Sequence, residues 1–441
     1  MKDYLEDIAR WRSDQLGCFT YRLHNPFNSS TVWTSDAENI RAILATKFHD
    51  FELGPVRRNN FLPVLGHGIF TSEGEDWAYF RSQLRPQFTR EQVSDLEAAE
   101  RHLQILFRTL PEEGCSGWSE YTDIMPLIFN FTLDVSTEFL FGQSVNSQTA
   151  LVSSSGHVPT AEVKKNMDFA KALNYSQDFI GWRVRLQGLY WLASSKKFRE
   201  ACKTVREFTD HFVQAALDPA NKRLGPSPDQ KEKFVLLDSL LATTKNSQEL
   251  RDQVLGILVA GRDTTSSLLC WTILLLSRHP EHFTFLRNAV LEHFGTELSP
   301  KNALTFSTLK ACKPIQNVLY EALRLYPLIP LNSRTALVDT ILPVGGGKDR
   351  KQPVAIAKGE QIVYSAYVMH HRKDIWGEDA DEFRPGRWEG RRMGWEFLGF
   401  SGGPRVCLGR EFNSFRYLLR CWFYAIWSCG SNSDVFRTIC S

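Results

Sequence analysis

The stretch that decides the fold is residues 397–409, "FLGFSGGPRVCLG", which places Cys407 behind two glycines, a proline and an arginine. Gly402 and Gly403 permit a positive φ or a close backbone approach, and Pro404 stiffens the turn. The following "CLGREF" predicts the start of a helix, where the helix N-terminus and backbone N–H groups stabilise a thiolate. Cys407 is therefore a candidate metal ligand or nucleophile.

The residues that flank Cys407 suit an iron porphyrin. Arg405 offers a cation to a carboxylate, and Gly409 leaves room for a flat ligand against the helix. Thiolate ligation pushes electron density onto iron and favours O–O cleavage. The alternative is a structural cysteine in a glycine turn. The long pattern F-x-x-G-x-R-x-C-x-G, which begins at Phe400, argues against that alternative.

The composition is that of a globular protein, with 441 residues of which 43% are hydrophobic and 23% are charged. The net charge of +2 gives no case for a nucleic-acid partner. The nine cysteines are scattered, and none forms C-x-x-C, which argues against a disulfide framework or a zinc knuckle. A reducing compartment is the expected environment.

Two apolar or amphipathic stretches bear on membrane contact. The charged first 20 residues predict neither a signal peptide nor a span, and residues 417–430 are shorter than the ~20 apolar residues that a span needs. We therefore expect no transmembrane anchor in this chain. Residues 181–198 mix Trp, Tyr and Leu with Arg and Lys, which is typical of a membrane interface. A helix pair with basic caps is an equally good interpretation.

Helix dominates the predicted secondary structure, with a minor β component. "TYRLH" and "TVWTS" alternate as strands do, whereas residues 36–46 and 90–109 have helical periodicity. Because no clean domain boundary is visible, the sequence predicts one large domain over residues 1–441, mainly α with small β-sheets.

Two further helices carry candidate functional residues. A capping box of Asn246 and Glu249 predicts the start of a long helix that stops before Pro280. A second helix is predicted from near Pro314, and Pro327 ends it.

The long helix contains "AGRDTT", residues 260–265. Gly261 costs the helix about 1 kcal/mol relative to alanine, so it needs a reason, and the close approach of a ligand plane is one. The Thr264 hydroxyl can hydrogen-bond dioxygen, and Asp263 can relay protons from solvent. The alternative for Thr264 is a hydrogen bond back to the preceding turn of its own helix.

The second helix contains "EALR", whose Glu321 and Arg324 share one helix face. "DEFRPGRW" supplies Arg387 further along the chain. We expect these three residues to form an ion network that locks the second segment beneath the Cys407 loop. That role is structural, and a buried network of this kind is sensitive to the loss of one partner.

Three other residues are candidates for binding a carboxylate. In "WAYFR", Trp77 and Arg81 lie one helical turn apart, so the indole N–H and the guanidinium can reach the same anion. An ordinary amphipathic helix is the alternative. Arg334 in "NSRTA" is a similar candidate.

These motifs, in this order, resemble the cytochrome P450 family of haem-thiolate monooxygenases from about residue 20 to residue 412. The phrases "GHGIFTSEGEDWAYFRSQLRPQF", "NSRTA", "ILPVGGGKD" and "DEFRPGRWEG" look most like fungal members that hydroxylate n-alkanes and fatty acids.

The resemblance implies haem b as the cofactor, with Cys407 as its axial ligand and with Asp263 and Thr264 in oxygen activation. It implies a cytochrome P450 fold with Glu321, Arg324 and Arg387 as a structural triad. The reaction is the insertion of one oxygen atom from O2 into a C–H bond of a hydrophobic substrate. A separate NADPH–cytochrome P450 reductase supplies the electrons. Other residues implied at the haem are Trp77, Arg81, Gly261, Arg334, Phe400, Arg405 and Gly409.

Two departures from the family pattern are visible. The resemblance implies the cytosolic face of the endoplasmic reticulum membrane. Relatives usually begin with a membrane anchor, and since no anchor is expected in this chain, it is expected to be cytosolic or peripheral if its start is genuine. The tail at residues 413–441 is not family-like. One alternative is therefore a catalytically impaired relic. Another is a reductase-independent isomerase or dehydratase, although the intact pair Asp263 and Thr264 argues against it.

Overall fold

A computed structural model describes residues 10–24, 30–88, 97–111, 121–152, 160–218, 234–296, 299–303 and 305–411. The atypical tail at residues 413–441 therefore lies outside the described residues.

Helices account for most of the described structure, which confirms the mainly α class with small β-sheets. In chain order the helices are α1 (Trp11–Leu16), α2 (Ala37–Arg41), α3 (Pro55–Leu65), α4 (Gly74–Leu84), α5 (Glu97–Thr109), α6 (Ile124–Phe141), α7 (Ser147–Val152), α8 (Ala161–Arg185), α9 (Lys196–Leu217), α10 (Leu236–Leu241), α11 (Ser247–Arg278), α12 (Pro280–Phe294), α13 (Phe306–Ala311), α14 (Lys313–Leu325), α15 (Ala366–His370) and α16 (Lys373–Trp376).

The strands are short. They are β1 (Thr20–His24), β2 (Ser30–Thr34), β3 (Phe51–Glu52), β4 (Gly295–Thr296), β5 (Ser299–Pro300), β6 (Leu331–Ala336), β7 (Thr340–Gly346), β8 (Gln352–Ile356) and β9 (Gln361–Ser365).

The described residues form two compact units. The first unit contains those within 10–54, 271–293 and 310–410, and the second contains those within 55–270 and 294–309 together with residue 411. The single domain expected over residues 1–441 stays a prediction.

The first unit is built on a five-stranded sheet in the order β1-β2-β9-β6-β3. β2 and β9 are parallel, and the other neighbours are antiparallel. β1 and β2 coincide with the predicted strands. The predicted helix at residues 36–46 is α2 followed by a π-helical turn at Ala42–Thr46. One cluster against the sheet includes Val32, Ile40, Ile43, Leu44, Ile362, Tyr364 and Leu398.

The second unit contains the helices from α3 to α10 and most of α11. α5 matches the predicted helix at residues 90–109 from Glu97 onward, and residues 89–96 lie outside the described part. Among the described helices, α6 alone has the length and hydropathy of a membrane span. Because 56% of α6 is buried inside the protein, it also fits the description of an ordinary core helix.

Only half of the predicted capping box of α11 is present. The Asn246 side chain accepts hydrogen bonds from the backbone N–H groups of Gln248, at 3.0 Å, and Glu249, at 3.2 Å. The Glu249 carboxylate accepts from the Tyr79 hydroxyl at 3.0 Å and from Thr244 at 3.2 Å. The Asn246 N–H donates instead to the Thr244 hydroxyl oxygen at 3.2 Å, so the reciprocal bond of the capping box is replaced.

Candidate functional site

The Cys407 loop is held by close backbone packing within the first unit. Gly403 has a φ of +67°, and a Cβ there would collide with the Leu44 carbonyl oxygen. Gly402 has an extended backbone, but a Cβ there would collide with the Trp395 ring. Only Gly403 thus combines the positive φ and the close approach that the sequence suggested. The Cys407 N–H donates to the Phe400 carbonyl at 3.1 Å and closes the loop.

The loop leaves the Cys407 side chain accessible. Among the five described cysteines (Cys18, Cys202, Cys270, Cys312 and Cys407), Cys407 is the exposed one. Burial raises the pKa of the Cys202 thiol to about 11 and that of the Cys270 thiol to about 12, so both stay protonated near neutral pH. Cys407 is therefore the thiol best placed to act as a ligand.

Gly409 lies beside this sulfur. A Cβ on Gly409 would lie 3.7 Å from the Cys407 Sγ, so a larger side chain would cover the approach to the sulfur. The helix predicted after Cys407 begins as a 3₁₀ turn at Leu408–Glu411, and its continuation lies outside the described residues. Gly409 thus keeps one side of the thiol open.

The side chains available to bind a metal here fit a metal group whose other ligands come from a cofactor. The described residues contain no group of three or more His, Cys, Asp or Glu side chains that could hold an ion. Cys407 would therefore be the sole protein side chain from this part of the chain to bind the metal, and a porphyrin supplies four nitrogen ligands itself.

The buried charge of Arg334 also fits a ligand of this kind. This residue of β6 is 4% exposed, and its Nη1 donates to the Ser333 carbonyl at 2.7 Å and to Asn332 Oδ1 at 3.4 Å. Across the described residues no carboxylate lies within ion-pair distance of it. Because a buried cation without a counter-charge is costly, the site fits an incoming carboxylate. Arg405 lies half-buried in the 3₁₀ turn Gly403–Arg405 of the same unit.

In the predicted triad, Arg324 and Arg387 both bond to Glu321. Both Glu321 and Arg324 are fully buried on α14, where Nε of Arg324 lies 2.9 Å from Oε2 and Nη2 lies 2.7 Å from Oε1. Arg387 Nε donates to the same Oε1 at 3.2 Å. The Trp388 indole N–H, which the sequence analysis missed, donates to Oε2 at 2.9 Å. Its position next to Arg387 is the signal that would have identified it.

The network extends into the backbone of the segment before Cys407. Arg324 Nη1 donates to the carbonyls of His370, at 2.8 Å, and Ala380, at 2.6 Å. Arg387 also bonds Asp379 at 3.0 Å, and this bond, together with one from Arg384, lowers the pKa of the Asp379 carboxyl. The arginines are thus satisfied mainly by groups distant in sequence.

His370 links this network to the Cys407 loop. Burial lowers the pKa of His370 to about 3, so the ring is neutral at physiological pH. Nδ1 lies 3.1 Å from the Arg324 carbonyl, and Nε2 accepts from the Leu398 N–H at 2.9 Å. A carbonyl cannot donate, so the bonding pattern assigns the proton to Nδ1. Sequence reasoning missed His370 because its partners are backbone groups.

In the second unit, Asp263 and Thr264 lie in α11 with Gly261. The Thr264 hydroxyl donates to the Ala260 carbonyl at 2.7 Å, which is the alternative geometry considered from the sequence. In α11, close packing explains why a glycine is needed at Gly256. A Cβ there would lie 3.3 Å from the Phe70 ring, a contact that the sequence did not indicate.

Asp263 faces α8. Its Oδ2 accepts from Gln177 Nε2 at 2.5 Å, and its Oδ1 accepts from Arg262 Nη1 at 3.1 Å. Burial raises the pKa of the Asp263 carboxyl, and Arg262 and Gln177 oppose that rise. The carboxyl is thus closer to exchanging a proton near neutral pH than an exposed aspartate is.

Trp77 and Arg81 lie together on α4, also in the second unit. The Arg81 guanidinium carbon is 5.6 Å from the Trp77 ring centroid, and the Trp77 side chain is buried. The i, i+4 spacing therefore brings the two side chains to one face, as expected.

Comparison with known proteins is consistent with this donor set. The family described as "Cytochrome P450" matches residues 20–416, a range that includes parts of both units. "Cytochrome P450 monooxygenase g430" from Fusarium sp is 46% identical over 409 residues, which are 92% of this chain and 71% of that protein. "Cytochrome P450 52A5" from Candida maltosa is 42% identical over 394 residues, 88% of this chain and 72% of that protein. "Cytochrome P450 52A1" from Candida tropicalis is 43% identical over 387 residues, 86% and 69% respectively.

Proposed function

Since this chain belongs to the cytochrome P450 family and a relative 46% identical to it is named a monooxygenase, we propose that it inserts one oxygen atom from O2 into a C–H bond of an n-alkane or fatty acid. The observation that carries the proposal is the accessible Cys407 in a loop closed by backbone packing. The choice of substrate rests on the phrases similar to fungal alkane and fatty-acid hydroxylases.

Haem b is the cofactor in this proposal, and when bound it supplies the iron at which O2 is activated. Cys407 provides the single side-chain ligand. Arg334 neutralises a propionate, and Arg405, Trp77 and Arg81 are further propionate-binding residues. Gly261, Phe400 and Gly409 provide the close contacts that a flat macrocycle requires.

Proton delivery is assigned to Asp263 and Thr264. The raised pKa of Asp263 suits a carboxyl that takes a proton from solvent and releases it again. Gln177 and Arg262 hold its two oxygens, so the position of the carboxyl group is fixed by α8 as well as by α11. The Thr264 hydroxyl, which donates to the Ala260 carbonyl, keeps lone pairs that can accept a hydrogen bond.

The apolar packing in the second unit supports a hydrophobic substrate. Side chains of α3, α8, α9 and α11 form one cluster with the loop after α3. Its members include Phe61, Val64, Leu65, Phe70, Tyr175, Phe179, Ile180, Phe198 and Val259. Sites for hydrophobic ligands are lined predominantly by side chains of this kind.

An exposed apolar surface on α8 and the 3₁₀ segment Gln187–Leu192 supports the proposal of a peripheral contact with the endoplasmic reticulum membrane. Trp182, Trp191 and Leu192 are each about 60% exposed. Two hydrogen bonds hold this segment in place. Arg183 donates to the Ala193 carbonyl at 2.9 Å, and Asn59 donates to the Tyr190 hydroxyl at 3.0 Å. Rigid exposed indoles beside basic residues suit an anionic lipid surface.

Replacing Trp182 and Trp191 together with serine is expected to lower binding to phosphatidylcholine–phosphatidylserine vesicles by about tenfold or more, since each indole would lose apolar burial. Vesicle flotation measures this effect. Trp11→Ser is the matched control, because Trp11 is similarly exposed, at 55%, but lies in α1 of the first unit. Equal binding by the double variant and the wild type would exclude this surface as the contact.

The activity itself is tested by reconstitution of the full chain with an NADPH–cytochrome P450 reductase. Dodecane and dodecanoic acid are supplied with NADPH and O2, and we expect hydroxylated product only when the reductase is present. Turnover of a lipid peroxide without reductase would instead favour an isomerase or dehydratase. Absence of a thiolate-type carbon monoxide band from the reduced protein would indicate the inactive relic.

A further inference from the structure

Two buried polar side chains of the first unit lie side by side with unused bonding capacity. Arg334 and Tyr364 are each 4% exposed, and the Arg334 guanidinium carbon lies 5.8 Å from the Tyr364 ring centroid. They stand on neighbouring antiparallel strands, where Asn332 pairs with Tyr364 and Arg334 pairs with Ile362. Paired residues share a face, and so do residues two apart, so Arg334 and Tyr364 project from the same face of the sheet.

The Tyr364 hydroxyl has no hydrogen-bond partner among the described residues. Buried tyrosine hydroxyls normally find one, because leaving the group unsatisfied forfeits its hydration without compensation. Arg334 bonds only to the Ser333 carbonyl and to Asn332 Oδ1 in the same part of the chain, so its charge lacks a counter-ion. A single anion placed between the two groups would satisfy both.

We infer that the Tyr364 hydroxyl donates a hydrogen bond to the same carboxylate that Arg334 binds, and that a porphyrin carries this carboxylate. This inference rests on the proposed function. A carboxylate can accept about four hydrogen bonds, enough for a guanidinium and a phenol together. Tyr364 is thereby a cofactor-binding residue that the motifs of the sequence did not reveal.

Packing connects this pair to the Cys407 loop. Tyr364 belongs to the cluster that contains Leu398, and Trp395 packs against that cluster. The backbone of Gly402, five residues before Cys407, lies directly against the Trp395 ring. The cluster that contains Tyr364 and the loop that carries Cys407 thus pack against the same aromatic side chain within the first unit.

A fatty-acid substrate offers the same carboxylate chemistry, so the experiment must separate the two sources. Tyr364→Phe removes the hydroxyl and keeps the ring over which Arg334 lies. Tyr326→Phe is the matched control, because Tyr326 lies in the same unit and stacks on Trp271 with ring centroids 3.8 Å apart. Each full-chain protein is loaded with haem, and the rate of haem transfer to excess apomyoglobin is measured.

We expect Tyr364→Phe to accelerate haem transfer about 10-fold to 100-fold, the effect of losing one hydrogen bond to a charged group. Tyr326→Phe is expected to leave the rate within about twofold of the wild-type rate. The measurement is repeated with the dimethyl ester of haem, whose carboxylates are blocked. There the Tyr364→Phe effect is expected to vanish.

Three results would overturn the inference while leaving the proposed function intact. The first is wild-type haem transfer by Tyr364→Phe. The second is equal acceleration with the dimethyl ester, which would indicate a packing role. The third is weaker dodecanoate binding with unchanged haem transfer, which would assign the carboxylate to the substrate. A wild-type chain that binds no haem would overturn both the inference and the proposed function.

Discussion

Replacement of Cys407 with alanine is expected to abolish the red-shifted carbon monoxide band of the reduced protein. The same change is expected to lower hydroxylation at least about 1,000-fold, equivalent to about 4 kcal/mol of transition-state stabilisation. The physical reason is that Cys407 is the exposed thiol among the described cysteines, and the thiolate supplies the electron density that favours O–O cleavage. Difference spectroscopy and product analysis with the reductase measure the two effects.

Cys18→Ala provides the control for this experiment. Cys18 lies in the same unit and is only half-buried, and its backbone N–H bonds to the Ser13 carbonyl, so the substitution preserves that contact. Its spectrum and activity should match those of the wild type. Retention of the thiolate band by Cys407→Ala would mean that another residue binds the iron.

Replacement of Glu321 with alanine is expected to lower the free energy of unfolding by about 3–5 kcal/mol, the usual cost of removing one partner from a buried ion network. The change would remove the carboxylate that pairs with Arg324, leave Arg387 with Asp379 as its ion partner, and leave the Trp388 indole N–H without its acceptor. Urea denaturation followed by far-ultraviolet circular dichroism measures the loss. If this variant does not fold, Arg387→Lys tests the same network with the charge retained.

The matched control is an exposed ion pair of the same charge type. Lys196 Nζ lies 3.7 Å from Glu200 Oε1 at i, i+4 on α9, and both side chains are mostly exposed. Glu200→Ala is expected to change the free energy of unfolding by less than about 0.5 kcal/mol. Equal effects at Glu321 and Glu200 would show that the buried network is not a major source of stability.

Several features followed from local sequence because local physics determines them. The glycines and proline before Cys407 restrict the backbone whatever lies around them, so they predicted a constrained loop. The i, i+3 spacing of Glu321 and Arg324 similarly placed both groups on one face of α14. Local sequence also predicted β1 and β2 from their alternating pattern, and the ends of α11 and α14 from the prolines that follow them.

Other details depended on which partners lie nearby in the folded chain. Glu249 accepts from Tyr79 and Thr244, and the Asn246 N–H donates to the Thr244 hydroxyl, so the capping box lacks its reciprocal bond. Thr264 bonds back to Ala260, a geometry that the sequence allowed but did not select. The Glu249 bond depends on Tyr79, which is distant along the chain, whereas the Thr264 bond is local to its own helix.

The sequence by itself predicted the candidate thiol, carried the family pattern around it and placed Glu321, Arg324 and Arg387 in one network. Tertiary structure alone decided that His370 connects that triad to the Cys407 loop and that Gln177 holds Asp263. It also decided that Arg334 and Tyr364 lie on one face of the sheet, where the Tyr364 hydroxyl has no hydrogen-bond partner among the described residues. The physical reason is that hydrogen bonds and burial depend on distance in space, and these partners are far apart along the chain.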